Sequence, residues 1–223
     1  MTIEENMSVE QFYNQNIRLY RSALADVEHK LGKLASVDAF GIVEVKARIK
    51  SIESLTEKIQ RKETETTTKI QTQDIPDRIR DIAGARIICL YLDMVPTIVA
   101  KIRQMDGVTV MRVKDYNTEP KENGYRGYHL ECKISTQTYD PETLETMSDI
   151  VSVEFQVRTQ HQHDWAELEH KLRYKPQQNA TNNGEDLDDE IKNEKLKEYA
   201  TQMHEADLKR MELRDTCAFT KRA

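Results

Sequence analysis

The sequence predicts an α+β fold in which a mixed β-sheet is flanked by helices at both ends of the chain. Both terminal regions space their apolar residues three to four positions apart, as helices do. Between them lie short apolar or alternating runs rich in β-branched residues, which are typical of strands. We therefore expect an N-terminal helical segment over residues 1–47, a core over 48–176 and a C-terminal helical extension over 177–223.

The N-terminal part of the chain is predicted to be helical. Residues 8–35 carry apolar side chains at helical spacing, and Ser8 followed by Gln11 resembles a capping box. Residues 36–47 are interpreted as a connector, and residues 48–62 as a second helix. On that helix a stripe of cations is expected beside the apolar side, formed by Arg48, Lys58 and Lys62.

The middle of the chain changes to a strand pattern. Residues 85–92, ARIICLYL, form a continuous apolar run that is typical of a buried strand. Further strands are predicted over 107–114, 128–136 and 150–159, with a helix over 95–105. These segments are expected to build the sheet of the core.

Two more helices are predicted after the last strand. Residues 160–174 are interpreted as a helix with Trp165, Leu168 and Leu172 facing inward. A polar break over 177–184 separates it from a long charged helix over 185–215. The sparse apolar face of that helix is predicted to consist of Leu187, Ile191, Leu196, Met203, Leu208 and Met211.

Composition narrows the class of protein. No run of about 18 apolar residues is present, so no membrane span is expected. The first residues have neither a basic nor an apolar signal region, and the three cysteines are far apart, which favours a cytoplasmic location. The formal net charge is −6, whereas a protein that coats long nucleic acid usually carries the opposite sign. Locally basic segments over 46–62 and 112–126 instead favour a small polyanion in a pocket.

Two carboxylates of the core are candidates for metal binding. Asp81 stands at the entrance of a predicted buried strand, where a carboxylate is unfavourable unless it is paired or bound to a metal ion. It could equally be a capping residue or an ion-pair partner beside Arg80. On the last strand Glu154, Gln156 and Arg158 share one face, which is also the pattern of a solvated face. If Asp81 and Glu154 converge across the sheet, they would suit Mg²⁺ when phosphates supply the other ligands.

The segment VKDYNTEPKENGYRGYHL, residues 113–130, begins and ends like a strand and carries cations and tyrosines between. Asn123 and Gly124 form a strong turn signal, which would present Tyr125 at an exposed tip. Cations in such a loop can neutralise phosphate, and a tyrosine ring can stack on a base. The alternative is a hairpin loop whose charges only keep it solvated.

Taken in order along the chain, five stretches resemble the RelA/SpoT homologue family. They are ARIKSIESLTEKIQRK, DIAGARI, the loop VKDYNTEPKENGYRGYHL, VEFQVRT and WAELEHKLRYK, which together cover about residues 46–175. The resemblance is strongest to the single-domain small alarmone synthetases. It implies a nucleotidyltransferase-like core that transfers pyrophosphate from ATP to the ribose 3′-hydroxyl of GTP, GDP or, in some members, GMP.

The resemblance also implies roles for individual residues. Asp81 and Glu154 match the magnesium-binding carboxylates, and Glu154 also matches the residue that activates the 3′-hydroxyl. Tyr125 matches the tyrosine that stacks on the acceptor guanine. Positions that match the ATP side are Arg48, Lys50, Lys58 and Arg86. Positions that match the acceptor side, besides Tyr125, are Lys114, Lys121, Asn123, His129, Gln156 and Arg158.

By the same resemblance we expect a synthetase without a hydrolase domain, Mg²⁺ as cofactor and a homotetramer. The loop departs from the usual family pattern at Gly127 and Tyr128, where many synthetases have a serine and an aliphatic residue. Adenosine nucleotides or the 3′-CCA end of tRNA, which toxic relatives modify, therefore remain alternative acceptors. A catalytically inert nucleotide-sensing module is a third possibility, although such a module would not need both carboxylates.

Overall fold

The computed structural model describes residues 7–139, 142–174 and 189–220, which form a five-stranded mixed sheet with helices packed around it. The predicted α+β class and the flanking helices are confirmed. The strands are β1 (Ile42–Ile49), β2 (Ala83–Cys89), β3 (Val108–Asp115), β4 (Tyr128–Tyr139) and β5 (Thr146–Thr159). The helices are α1 (Val9–Ala35), α2 (Ile52–Thr66), α3 (Ile75–Arg78), α4 (Met94–Arg103), α5 (Gln160–Tyr174) and α6 (Asp189–Thr220).

Helix α1 begins where its sequence signal predicts. The Ser8 hydroxyl accepts a hydrogen bond from the Gln11 backbone N–H at 3.1 Å, and the Gln11 side chain accepts one from the Ser8 N–H at 2.7 Å. This capping box satisfies two N–H groups that the first helical turn leaves unpaired. The buried side of α1 then packs across β1 and β4.

The strand order in the sheet is β1-β2-β5-β4-β3. Strands β2 and β5 run parallel at the centre, while the other neighbours are antiparallel. On β5 the odd-numbered residues Val153, Phe155 and Val157 are fully buried in the core. Each such side chain contributes about 1.5–3 kcal/mol of hydrophobic stabilisation. The even-numbered residues therefore point to the opposite face of the sheet.

The predicted connector over 36–47 and the predicted start of the second helix are wrong. Residues 42–49 form strand β1, and α2 begins only at Ile52, after Ser51 caps it by accepting a hydrogen bond from the Ser54 N–H at 3.3 Å. The strand forms because apolar residues at 45, 47 and 49 alternate with charged ones, and the apolar ones pack against the core. Arg48 consequently lies on a strand beside α2 and not on the cationic stripe of that helix.

Two predictions about helix faces also need correction. In α5, Trp165 is buried as expected, but Leu168 and Leu172 are 39% and 52% exposed because the helix contacts its neighbours on one side only. In α6, Leu196 is buried, whereas Ile191 and Leu208 are exposed. The residues that α6 buries include Ala200 and Asp207, which an apolar pattern does not indicate. Leu187 and the predicted polar break over 177–184 lie outside the described residues.

Within the described ranges, no helix combines the length and the apolar character that crossing a membrane requires.

Candidate active site

The register of the sheet brings most of the predicted site residues onto one face. Residues directly opposite each other on paired strands point to the same side of a sheet. One row across the strands therefore consists of Arg48, Gly84, Glu154, Glu131 and Arg112. The neighbouring row consists of Lys46, Arg86, Gln156, His129 and Lys114.

Gly84 leaves a gap in the first row. A β-carbon built on it would meet only the Glu154 carbonyl oxygen, at 3.5 Å, so the backbone tolerates a side chain there. The space is part of a cleft of about 190 Å³ between Arg48 and Arg86. A gap between two arginine side chains suits a planar ring, because arginine packs well on aromatic faces.

Asp81 lies just before β2 and binds two lysines. Its Oδ2 lies 2.6 Å from Lys58 Nζ and 3.4 Å from Lys50 Nζ. Burial alone would raise the pKa of Asp81, but the two ammonium groups lower it below its ordinary value. Burial also lowers the pKa of Lys50, and the Asp81 charge offsets part of that effect. The predicted ion pair is therefore present, with lysines as partners, while Arg80 pairs with Glu131.

The second oxygen of Asp81 fits a magnesium site. Asp81 Oδ1 is buried and has no hydrogen-bond partner among the described residues. A buried carboxylate oxygen normally has a partner, so this one is available to a cation or another ligand. Oxygen is the ligand that Mg²⁺ prefers, and Asp81 and Glu154 border the same clefts. The donor set present is thus compatible with the cofactor that the sequence predicts.

Glu154 is an ionised carboxylate at the centre of the site. Its Oε1 lies 3.1 Å from His129 Nδ1, and its Oε2 accepts a hydrogen bond from Gln156 at 2.7 Å. Burial would raise the pKa of Glu154, but these hydrogen bonds and the nearby Lys58 charge lower it to about 2. Burial lowers the pKa of His129. A neutral His129 that donates its Nδ1–H to Glu154 accounts for both shifts.

Arg86 is oriented by helix α5. Its guanidinium donates a hydrogen bond to Glu167 at 2.9 Å and lies 3.5 Å from His163 Nδ1. Burial lowers the pKa of Arg86. Its Nε is buried without a hydrogen-bond partner in the part of the chain that the structure describes. A buried guanidinium with an unused donor favours an anionic or carbonyl-bearing ligand.

The loop 116–127 holds Tyr125 inside the protein, so the predicted exposed tip is wrong. Tyr125 is 7% exposed, and its hydroxyl contacts His129 Nε2 and accepts hydrogen bonds from Arg158 Nε and Nη2 at 3.1 and 2.7 Å. Lys121 Nζ lies over the same ring, 4.8 Å from its centroid. Gly124 forms the predicted turn with φ of 87°, a left-handed conformation that favours glycine.

A large cleft collects most of the predicted residues. It has a volume of about 820 Å³ and runs between α2, the loop 116–127 and α5. The predicted residues that line it are Arg48, Lys50, Lys58, Asp81, Arg86, Lys121, Asn123, Tyr125, His129, Gln156 and Arg158. The ATP-side and acceptor-side positions of the sequence analysis therefore share one cavity.

A second cleft of about 600 Å³ meets the first at Asp81 and Lys58. Of the predicted residues, Lys114 and Glu154 line this second cleft and not the large one. It is also lined by Lys62 of the predicted cationic stripe and by four arginines to which the resemblance assigns no role, namely Arg61, Arg78, Arg80 and Arg112. Arg61 and Arg112 lie in the two locally basic segments, whereas Arg78 and Arg80 lie between Asp77 and Asp81 and carry no such signal.

The sequence of the chain matches a known protein family. A family model described as the region found in RelA/SpoT proteins matches residues 47–179. The chain belongs to the RelA/SpoT family. The matched region contains the last three residues of β1 and all of β2 to β5, together with the residues that line the two larger clefts, and it ends before α6.

The relatives that match this chain are named as GTP pyrophosphokinases or small alarmone synthetases. GTP pyrophosphokinase YwaC of Bacillus subtilis is 39% identical over 134 residues, which cover 60% of this chain and 59% of that relative. The match thus spans less than two thirds of the length of YwaC. GTP pyrophosphokinase YjbM of the same organism is 34% identical over 161 residues, 70% of each chain. The crystal structure of small alarmone synthetase 1 from Bacillus subtilis, bound to its product pppGpp, matches with a TM-score of 0.75 at 26% identity and covers 94% of this chain and 99% of that one.

Proposed function

We propose that this RelA/SpoT protein transfers pyrophosphate from ATP to the ribose 3′-hydroxyl of GTP or GDP, which makes pppGpp or ppGpp. One observation carries the proposal: a single cleft joins a cation-lined half to a half built around Tyr125, and Asp81 lies where that cleft meets the one that holds Glu154. The names of the two pyrophosphokinase relatives and the product-bound small alarmone synthetase support the same activity. GMP remains a further candidate acceptor.

The donor half would bind ATP. Lys50 and Lys58 flank Asp81 and would contact the phosphates, where lysine acts as a compact positive charge. Arg48 and Arg86 border the gap at Gly84 and would pack on the adenine ring. Together these residues hold the triphosphate with its β-phosphorus towards the carboxylates.

The acceptor half would bind the guanosine nucleotide. Lys121, Asn123, Tyr125, His129, Gln156 and Arg158 line it, as the resemblance implies. The Tyr125 ring is 7% exposed and already fixed by Lys121 and Arg158, so it loses little side-chain entropy when a guanine base takes the place of Lys121 on the ring. Lys114 and the other cations of the second cleft are within the same connected space and would neutralise the 5′-phosphates of the acceptor.

Asp81 and Glu154 would hold Mg²⁺, with Asp81 Oδ1 as the oxygen that is free to coordinate. When bound, the ion would neutralise part of the negative charge on the phosphate oxygens. The protein residues orient the reacting groups around it. Lys50 and Lys58 keep Asp81 ionised, and His129 and Gln156 do the same for Glu154.

Glu154 would act on the acceptor hydroxyl. Its carboxylate accepts the hydrogen bond of the 3′-hydroxyl and takes its proton as the oxygen bonds to the β-phosphorus of ATP. The bond between that phosphorus and the bridging oxygen of the α-phosphate breaks, and AMP leaves with the electron pair. A loose transition state of this kind needs in-line positioning more than a strong base, so a carboxylate with a pKa of about 2 is adequate.

A nucleotide panel tests the proposal against its alternatives. The purified protein is incubated with Mg²⁺ and ATP labelled on its β-phosphate, in parallel with GTP, GDP, GMP, unlabelled ATP or deacylated tRNA as acceptor. We expect label in guanosine tetra- and pentaphosphate only. Label on tRNA alone, or on an adenosine product, would show that the acceptor is not a guanosine nucleotide. Nucleotide binding without any transfer would instead favour the sensing module.

We also propose a cytoplasmic homotetramer, as the resemblance implies. Cys89 and Cys132 are buried free thiols, which suits a reducing compartment. Tyr139 and Ile150 are largely exposed apolar residues on the same side of the β4–β5 hairpin and could contact another copy. Light scattering coupled to gel filtration would test this, and a monomer at micromolar concentration would contradict it.

A further inference from the structure

Helix α6 lies beyond the region that the RelA/SpoT family model matches, yet it packs directly behind the acceptor half of the cleft. We propose that α6 positions the loop 116–127 and that Ala200 is the positioning residue for acceptor binding. This inference rests on the proposed function for its kinetic consequence. Its structural content is that the loop takes its active shape against one face of α6.

The first contact is between Ala200 and the turn of the loop. A β-carbon on Gly124 would lie 2.6 Å from Ala200 Cβ and 3.0 Å from Lys197 Cα, so the loop backbone and the helix are in direct contact. Ala200 itself is 6% exposed. A larger side chain at position 200 has no space and must displace either the helix or the turn. The turn is closed by backbone hydrogen bonds from Gly124 N–H to the Lys121 carbonyl at 2.8 Å and from Lys121 N–H to the Tyr125 carbonyl at 3.2 Å, whereas α6 is a continuous helix, so we expect the loop to yield.

The second contact explains how α6 is fixed in place. Asp207 is fully buried and accepts hydrogen bonds from the Thr159 hydroxyl at 2.6 Å and from His161 at 2.9 Å. Arg210, three residues further, contacts the other nitrogen of His161 at 3.0 Å and donates to the Leu90 carbonyl at 3.2 Å. These polar contacts attach α6 to the carboxyl ends of the two parallel strands β2 and β5.

Tyr125 connects the two contacts. Thr159, which Asp207 binds, directly follows Arg158, and Arg158 donates two hydrogen bonds to the Tyr125 hydroxyl. The Tyr125 ring packs in a small cluster with Trp165, Leu196 and Ala200. Trp165 Nε1 also donates to the Leu196 carbonyl at 2.8 Å. The ring of Tyr125 is therefore placed by residues that α6 contacts, and its hydroxyl is placed by Arg158, the neighbour of a residue that α6 binds.

Spacing along α6 is consistent with this role. Leu196, Ala200, Met203, Asp207 and Arg210 recur at intervals of three and four, so they occupy one side of the helix. That side changes from apolar, where it supports Tyr125, to polar, where it is attached to the strand ends. The helix thereby carries one surface for the loop and one for its own anchoring.

Three variants of the full chain test the proposal. Ala200→Leu introduces bulk against Gly124, Ala200→Gly removes the methyl group without adding bulk, and Gln202→Leu adds the same side chain at an exposed position of the same helix. The measurements are the KM for GDP, the KM for ATP, the melting temperature and the hydrogen exchange of amides 116–128. Melting temperature identifies any variant that fails to fold.

Ala200→Leu is expected to raise the KM for GDP about tenfold or more with the KM for ATP within about twofold, since small misplacements of a binding group have large effects. Exchange should accelerate in residues 116–128. Ala200→Gly, which removes the methyl group that the turn packs against, should lower the melting temperature and raise the KM for GDP less than Ala200→Leu does, and Gln202→Leu should match the wild type. An unchanged KM for GDP in Ala200→Leu, equal increases for GDP and ATP, or an equal effect of Gln202→Leu would each overturn the proposal.

Hydrogen exchange separates failure of this proposal from failure of the proposed function. If the wild-type protein transfers nothing to any guanosine nucleotide, the proposed function is wrong, but the exchange measurement still applies. Accelerated exchange confined to residues 116–128 in Ala200→Leu and absent in Gln202→Leu would support the positioning role. Unaltered exchange in a folded Ala200→Leu protein would refute it.

Discussion

Lys58 Nζ lies 2.6 Å from Asp81 Oδ2, while the other oxygen of the same carboxylate is buried without a hydrogen-bond partner among the described residues. The lysine thus keeps Asp81 ionised and leaves one oxygen available. Buried polar atoms usually have a hydrogen-bond partner. The half-satisfied carboxylate is therefore what we expect of the proposed Mg²⁺ site.

Asp81→Asn is expected to reduce pyrophosphate transfer by about 100-fold or more, because a neutral amide cannot supply a charged ligand to Mg²⁺. The rate of labelled product formation at saturating nucleotide measures this. Asp26→Asn, which alters an exposed carboxylate on α1 paired with Lys30, is the matched control and should retain the wild-type rate. Transfer by Asp81→Asn within about threefold of the wild type would contradict the assigned role.

Glu154→Gln is expected to abolish transfer and leave the fold intact. Glutamine has nearly the same size and can still accept the hydrogen bond from His129, but it cannot take a proton from the 3′-hydroxyl. Circular dichroism and product formation measure the two outcomes. Glu28→Gln, at an exposed position of α1, serves as control. Substantial activity in the Glu154 variant would assign the base elsewhere.

Tyr125→Ala is expected to weaken use of the acceptor far more than binding of ATP. The change removes the proposed stacking surface, which is worth about 1–3 kcal/mol for one base. Because the ring is buried, Tyr125→Phe is measured alongside: it keeps the ring and loses only the hydroxyl contacts with His129 and Arg158. The KM for GDP and the Kd for a fluorescent ATP analogue report the two sides. Equal losses on both sides would argue against the assignment.

Stability should depend on pH through Glu154. Its folded pKa, about 2, lies below the ordinary value of 4.5, so the folded state binds the proton less readily than the unfolded state. The stabilisation, of order 3 kcal/mol, is therefore complete above about pH 4.5 and is lost as pH falls towards 2. The measurement is urea unfolding of the wild type and of Glu154→Gln. We expect the difference between their free energies of unfolding to shrink as the pH is lowered from about 6 to about 3. A difference that grows on acidification would contradict this.

Gly84→Leu is expected to block ATP use without unfolding the protein. The new side chain has ordinary backbone clearance but would fill the cleft of about 190 Å³ between Arg48 and Arg86. The KM for ATP should rise more than the KM for GDP, while the melting temperature stays close to that of the wild type. Gly32→Leu is a control, because a side chain there meets open space on α1. An unchanged KM for ATP would place the donor base elsewhere.

The sequence predicted the fold class well because most of its core strands are apolar or alternating runs rich in β-branched residues. Strand β1 was missed because its apolar residues are few and are interrupted by charged ones. Its last residues also lie directly before the cap of α2, so they resemble the first turn of that helix. The alternation of Val45, Ala47 and Ile49 with charged residues, together with Ser51, was the available signal.

The candidate site was predicted as a set of residues but not as a geometry. Motif order indicated Asp81, Glu154 and the loop cations, yet nothing local to the sequence shows that Tyr125 is buried. Its position depends on Arg158 and on α6, which are remote along the chain. The buried Asp207 was missed for a related reason, because a polar residue is buried only when tertiary partners satisfy it.

The parallel pairing of β2 with β5 has a consequence for the order in which the protein becomes active. Asp81 precedes β2, whereas Glu154 lies in β5, and β3 and β4 are made between them. A chain emerging from the ribosome therefore cannot bring its two carboxylates together before β5 has been synthesised, and its acceptor loop lacks its support until α6 follows. A partly synthesised chain therefore lacks the proposed site until both β5 and α6 have been made.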